Sequence, residues 1–335
     1  MSLNTPNWAS LNDSQKQAFE RAVSVSSAST RLTQSYVNRV IQQLSLREFG
    51  ALGTMDRRAG SGAQAIVNRR TAATMTASNV WVADTTSLTE TTGTYAQSTW
   101  TYQTLATRGQ VTRKIRATGR SYLDVLAEEM THKLDDFNNS LESAMFIGNS
   151  GAVTNQIDGL ITQINSYSSQ AQVVANTSAA AGDSLTLAKL DQTIDLVRGS
   201  AARSDMLIYC SYLGARKLNA ALQSQQQFND MTEIAAGFRV RTYDGIPIVV
   251  STGMPDDLTW SGSSITALSG ESSNPNTCYV VVNKRYNWLE ELTPTTMMPL
   301  ARDSSQNENF DVFWDGALVC GNPLGAAILG GVTAA

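Results

Sequence analysis

The chain has 335 residues, of which 42% are hydrophobic, enough to bury a full core in one large or two modest domains. Only 16% are charged, against roughly a quarter in average soluble proteins, and Ser, Thr, Asn and Gln make up the difference. A formal net charge of -4 excludes a protein whose whole surface grips nucleic acid, so any DNA contact is local. The shortage of charge suggests that much of the surface is covered by other subunits.

The opening MSLNTPNWASLNDSQ has no basic segment followed by an apolar one, and the most apolar later stretches, such as IPIVV from Ile246, are too short to span a bilayer. Neither an export signal nor a membrane anchor is expected. Ser10 and Asp13 have capping-box spacing; Phe19, Ala22 and Val23, then Leu32, Tyr36, Val37, Val40, Ile41 and Leu44, recur at helical intervals. Two helical pieces broken around Ser24 to Thr30 are predicted.

From Thr71 to Thr107 helical periodicity gives way to Thr, Ser, Tyr and Trp, which predicts a long β-hairpin or extended loop. Its returning arm runs from Gly93 through Trp100, Tyr102 and Leu105 and on as strand to Val111 and Ile115, with too few apolar residues to anchor it to its own core. Ser121, with Asp124 three residues later, predicts the start of a helix whose apolar stripe runs from Leu123 through Leu126, Met130, Leu134, Phe137 and Leu141 to Met145 and stops at Gly148. Such a helix is about 40 Å long.

GNSGAVTNQIDGLITQI then reads as two turns and a short strand, and Thr162 to Asp183 as a polar segment of low order, after which a second domain begins. A helix over Leu185 to Val197, a buried strand SDMLIYC and a helix over Ser211 to Gln223 give an α/β alternation. RVRTYDGIPIVVS is a hairpin with its tight turn at Asp244 and Gly245. Ser261 to Asn276 reads as a surface loop, CYVVVNKRYNWLEEL as strand, a further amphipathic strand runs to Trp314, and PLGAAILGG closes the chain as a short apolar strand.

No motif promises catalysis. Cys210, Cys278 and Cys320 are odd in number and widely spaced, so neither a disulfide framework nor a zinc site is signalled, and no metal or cofactor is expected. His132 is the only histidine and reads as a surface or interface residue. The acid pairs Glu128 and Glu129, Asp135 and Asp136, and Glu290 and Glu291 point in different directions and suit solvated faces or ion pairs better than a two-carboxylate centre. The glycines of GNSGAVTNQIDG lack phosphate-loop spacing. Arg108, Arg113, Lys114, Arg116 and Arg120 form the one concentrated basic stretch; they suit pairing with acidic neighbours, or contact with DNA phosphates. Trp81, Tyr95, Trp100 and Tyr102 lack interleaved basic residues, so they read as intersubunit anchors, not as a base-stacking platform.

The order of these elements, from the helical arm through the Thr-rich loop, the helix ending in GN-S-G, NQIDGLITQI and DGIPIVVSTGMP to the last apolar strand, resembles the tailed-phage major capsid proteins of the Hong Kong 97 phage fold over nearly the whole chain. The resemblance implies an α+β fold with an N-arm at residues 1–50, an extended E-loop at 71–107 and a P-domain at 51–70, 108–184 and 283–320. The P-domain would hold a spine helix at 121–147, and an α/β A-domain would take 185–282 and 321–335. It further implies a non-enzymatic subunit that forms pentamers and hexamers of an icosahedral head shell, made in the host cytoplasm and residing in the virion. A portal protein at one vertex, scaffolding and decoration proteins, and non-specifically held double-stranded DNA would be its partners. An encapsulin-like nanocompartment shell is the alternative on the same fold. Residues 71–107 contain no lysine, so the family's lysine–asparagine crosslink is not carried over, and no long charged prodomain precedes the arm.

Overall fold

The computed structural model describes residues 50–72, 81, 93–119, 124–167, 172–197, 203–224, 231–235, 238–266, 274–300 and 306–334. The helices predicted before Gly50 lie outside these residues. The chain divides into two compact units, one of residues 1–46, 110–132 and 301–309, the other of residues 47–109, 133–300 and 310–335.

Helix α1 (Gly50–Thr54) leads into strand β1 (Asp56–Ala59), and β2 (Gln64–Ala72) pairs antiparallel with β3 (Thr94–Thr101). The hairpin therefore begins at Gln64, seven residues ahead of the Thr-rich texture that announced it. Strand β4 (Gln103–Thr112) gives way to helix α2 (Arg113–Gly119), where continued strand was expected. Arg, Lys and Ala favour helix, and the Thr112 hydroxyl accepts from the Ile115 amide at 3.4 Å as a cap.

Helix α3 (Val125–Ile147) starts four residues later than Ser121 suggested. Asp124 caps it, its Oδ1 accepting from the amides of Leu126 and Ala127 at 3.2 and 3.4 Å. Its 23 residues span about 35 Å. Gly148 ends it by close approach, since a Cβ there would lie 2.2 Å from the Ile157 carbonyl oxygen.

LITQI belongs to helix α4 (Leu160–Ser166), not to a strand. Leu160, Ile161 and Ile164 are buried at helical spacing, and three apolar residues in a five-residue stretch are too few to fix the period. The segment expected to be of low order also supplies β5 (Val173–Ala175), which pairs parallel with the last strand of the chain.

Helix α5 (Leu187–Leu196), β6 (Met206–Cys210) and α6 (Tyr212–Ser224) follow, and the Ser211 hydroxyl caps α6 by accepting from the Gly214 amide at 3.0 Å. Strands β7 (Met231–Ala235), β8 (Phe238–Tyr243) and β9 (Ile246–Val250) come next. Asp244 and Gly245, at φ 50° and 74°, make the tight β8–β9 turn that both residues were expected to form. A two-stranded piece, β10 (Thr259–Trp260) with β11 (Ile265–Thr266), lies in the expected loop region. Strands β12 (Asn276–Asn283), β13 (Asn287–Pro299), β14 (Asn307–Cys320) and β15 (Ala326–Thr333) complete the chain.

Two sheets organise these elements. The order β5-β15-β12-β6-β9-β8-β7 is a mixed seven-stranded sheet, and β1-β13-β14-β4 a four-stranded one. Every residue of β6 and β12 is buried because both faces of the larger sheet are covered. On one face Ile208, Val281 and Leu329 pack with Leu190 and Ile194 of α5 and Leu218 and Leu222 of α6. On the other the Tyr209 ring meets Phe146 of α3 edge-on, centroids 5.5 Å apart. Among the described residues no helix is long and apolar enough to cross a membrane.

Candidate assembly surface

The β2–β3 ribbon has no further strand on either edge among the described residues, and two strands alone are marginally stable at best. Its base is fixed from the four-stranded sheet. Ala65, Trp288 and Val319 form a small buried cluster against which Val67, Trp100 and Tyr102 pack. Trp100 Nε1 donates to Gln163 Oε1 at 2.9 Å, and that amide's nitrogen donates to the carbonyls of Asp158 and Leu318 at 2.7 and 2.8 Å. Gln163 thereby ties β3 to α4 and β14. The Tyr102 hydroxyl donates to Glu290 Oε1 at 2.5 Å; burial first, and then this bond, push its pKa up to about 12.

The face of β2 opposite Ala65 and Val67, and the residues farther along, are bare. Ile66 is 56% exposed, Tyr95 71% and Trp81 85%. The four aromatics singled out from the sequence thus divide: Trp100 and Tyr102 are engaged within the chain, whereas Tyr95 and Trp81 stand open.

The basic stretch is largely paired in place. Arg108 holds Asp311 through two bonds at 2.6 and 2.9 Å, which keeps that carboxyl below its usual range. Arg113 donates to Gln306 Oε1 at 3.2 Å, and Arg116 pairs with Glu308. Lys114 sits on α2 beside them, and Arg120 lies outside the described residues. Arg113, Lys114 and Arg116 lie on α2, whereas Arg108 lies on β4.

Glu290 and Glu291 have structural duties. Glu290 accepts from Tyr102 and, at 3.0 Å, from Trp288 Nε1; Glu291, on the opposite face of β13, accepts from Trp314 Nε1 at 3.0 Å and pairs with Arg57 at 3.3 Å. His132 Nε2 lies 3.4 Å from Glu128 Oε1 one turn away. All three cysteines are buried and reduced, and burial pushes the Cys210 thiol up to about 12. A pocket of about 220 Å³ beside β4, lined by Leu105, Leu141, Val153, Ile157 and Trp314 among others, contains no titratable side chain. Among the described residues no three metal-ligating side chains converge.

The sequence reading missed Gln163 and Glu290. The first had a weak signal, a long polar side chain between the apolar residues of LITQI; Glu290 had none beyond its adjacency to Glu291.

This arrangement of a mixed sheet flanked by helices, a second long-stranded sheet and a projecting ribbon is the Hong Kong 97-type capsid fold. The structure is similar to the SrpI encapsulin complex of Synechococcus elongatus (12% identity, 91% of this chain and 95% of that one, TM-score 0.64). It is also similar to the capsid of an empty GTA particle (14%, 88% and 94%, 0.61) and the capsid of the Myoviridae phage XM1 (12%, 88% and 96%, 0.55). No curated protein matches the sequence. Residues 51–333 match the profile of the SU10 major capsid protein, and the chain belongs to that family. It is a phage major capsid protein, a structural subunit that forms a head shell with copies of itself.

Proposed function

We propose that this subunit assembles as pentamers and hexamers that close an icosahedral shell around double-stranded DNA, and that it performs no chemistry of its own. The observation that carries this reading is the β2–β3 ribbon, pinned at its base yet presenting Ile66, Tyr95 and Trp81 to solvent. An open ribbon with exposed large apolar side chains gains its missing partners from neighbouring subunits. In the vocabulary of the fold, residues 1–50 are the N-arm, 71–107 the E-loop, 51–70, 108–184 and 283–320 the P-domain with α3 (Val125–Ile147) as its spine helix, and 185–282 with 321–335 the A-domain. Assembly in the host cytoplasm, a portal at one vertex, and scaffolding and decoration proteins belong to the same reading.

The similarity to an encapsulin shell supports a nanocompartment as the alternative, but the family match over residues 51–333 favours the phage head. Nuclease-protected DNA inside purified particles supports the head; a cargo protein in its place supports the compartment. Sedimentation of the full chain tests the oligomer directly. Species of five and six chains are expected, and a monomer that persists at micromolar concentration contradicts the proposal.

A further inference from the structure

Glu142, on α3, is 1% exposed. Its Oε1 accepts from the Ala51 amide at 3.1 Å and from the Ser251 hydroxyl, while Oε2 is buried with no partner. The chain is shaped around this carboxyl. A Cβ at Gly253 would come within 2.8 Å of Glu142 Cγ, and one at Gly50 within 2.4 Å of the Val250 carbonyl oxygen, so glycine at both positions lets α1 and the turn after β9 close on the side chain.

The groups facing the carboxyl are few. Helix α1 offers the amides of Gly50 and Ala51, and the turn after β9 offers Ser251. Strand β6 offers the Tyr209 hydroxyl, which bonds Thr54 Oγ1 at 3.1 Å and feels both Glu142 and Asp56 of β1. No cation among the described residues offsets the charge. Burial raises the carboxyl above the usual carboxylate range, and the bonds from Ser251 and Ala51, with the nearby Gly50 amide, pull it only part of the way back.

We propose that Glu142 is a proton-operated latch on α1, the point at which residues 1–49 join the described fold. With a proton on Oε2 the side chain keeps its acceptor on the Ala51 amide and buries no charge, and α1 stays seated. Loss of that proton leaves an anion in a buried site with no protein partner on one oxygen, which favours release of α1 into water. The sign follows from linkage: the seated state has the raised pKa and the released state the ordinary one, so seating is complete at low pH and weakens as pH rises between the two.

Hydrogen exchange at the Ala51 and Leu52 amides of the full chain, expressed as protection so that the intrinsic pH dependence is removed, reads the latch. Protection is expected to fall about tenfold per pH unit between the released and seated pKa values and then to level off. Glu142→Gln, which keeps the acceptor and cannot ionise, is expected to stay protected with no slope. Ser251→Ala removes a donor that favours the charged form and is expected to move the levelling-off point to higher pH. Wild-type protection that is flat from about pH 4 to about pH 9, or a Gln variant that shares the wild-type slope, overturns the proposal.

Discussion

The Tyr102 hydroxyl donates to Glu290 Oε1 at 2.5 Å across 188 residues of sequence, joining the end of the ribbon to the first part of β13. Glu290 also holds Trp288 Nε1, whose ring carries the Arg58 guanidinium at 3.9 Å, so one carboxylate organises the base on which the ribbon stands.

Tyr102→Phe keeps the ring and removes the donor, and is expected to cost about 1–2 kcal/mol in urea denaturation. Because the folded phenol titrates near 12 and the free one at 10.0, the neutral tyrosine's contribution is present below pH 10.0 and lost as pH rises through about 12. The wild-type advantage over the Phe variant should therefore shrink over that window. Equal stabilities at neutral pH would show that the bond carries no weight.

Gly109 on β4 makes room for Phe310 of β14, which is 1% exposed: a Cβ there would sit 2.1 Å from Phe310 Cζ. Gly109→Ala is expected to cost about 1–3 kcal/mol by overpacking. Phe310→Leu in the Ala background should recover part of it, as coupled neighbours do. A neutral Ala variant would mean that the ring moves freely.

Replacing Arg108, Arg113 and Arg116 together by Ala tests where the basic stretch spends its charge. Their guanidiniums are held by Asp311, Gln306 and Glu308, so the salt slope of duplex DNA binding by the full chain should change by less than about one unit. A loss of about two to three units would show that phosphates compete successfully for these side chains.

Much of this architecture was legible in the residues. The Asp244–Gly245 turn, the buried strand MLIYC and the apolar last strand were readable because turn chemistry and unbroken apolar runs are local signals. The helical state of LITQI was not, since three apolar residues in a five-residue stretch do not fix the period until packing decides it. Nor was the strand-to-helix switch at Arg113, which Thr112 caps and Gln306 and Glu308 hold from far along the chain. The aromatic residues of the ribbon were found as a group, but the partners Gln163 and Glu290 that take two of them into the chain's own interior depend on tertiary contacts.

Substituting residues 82–92 by a short Gly-Ser linker shortens the connection between β2 and β3 and spares Trp100, Tyr102 and their partners. The melting temperature should stay within about 2 °C of wild type, since a loss on the order of 1 kcal/mol would already move a chain of this size by that much. Assembly should fail. A variant that builds normal shells would show that residues 82–92 are dispensable, and one that loses its circular-dichroism signal would show that they support the subunit's own core.

Electron microscopy of the purified full chain, imaged alone and after co-expression with the phage's other head proteins, bears most directly on the claim that this subunit builds a shell. Closed hollow particles or rings of five and six subunits are expected, with density from a neighbouring copy against Ile66 and Tyr95 of the ribbon. Dispersed single subunits under both conditions, or shells in which that face of the ribbon stays bare, would contradict it.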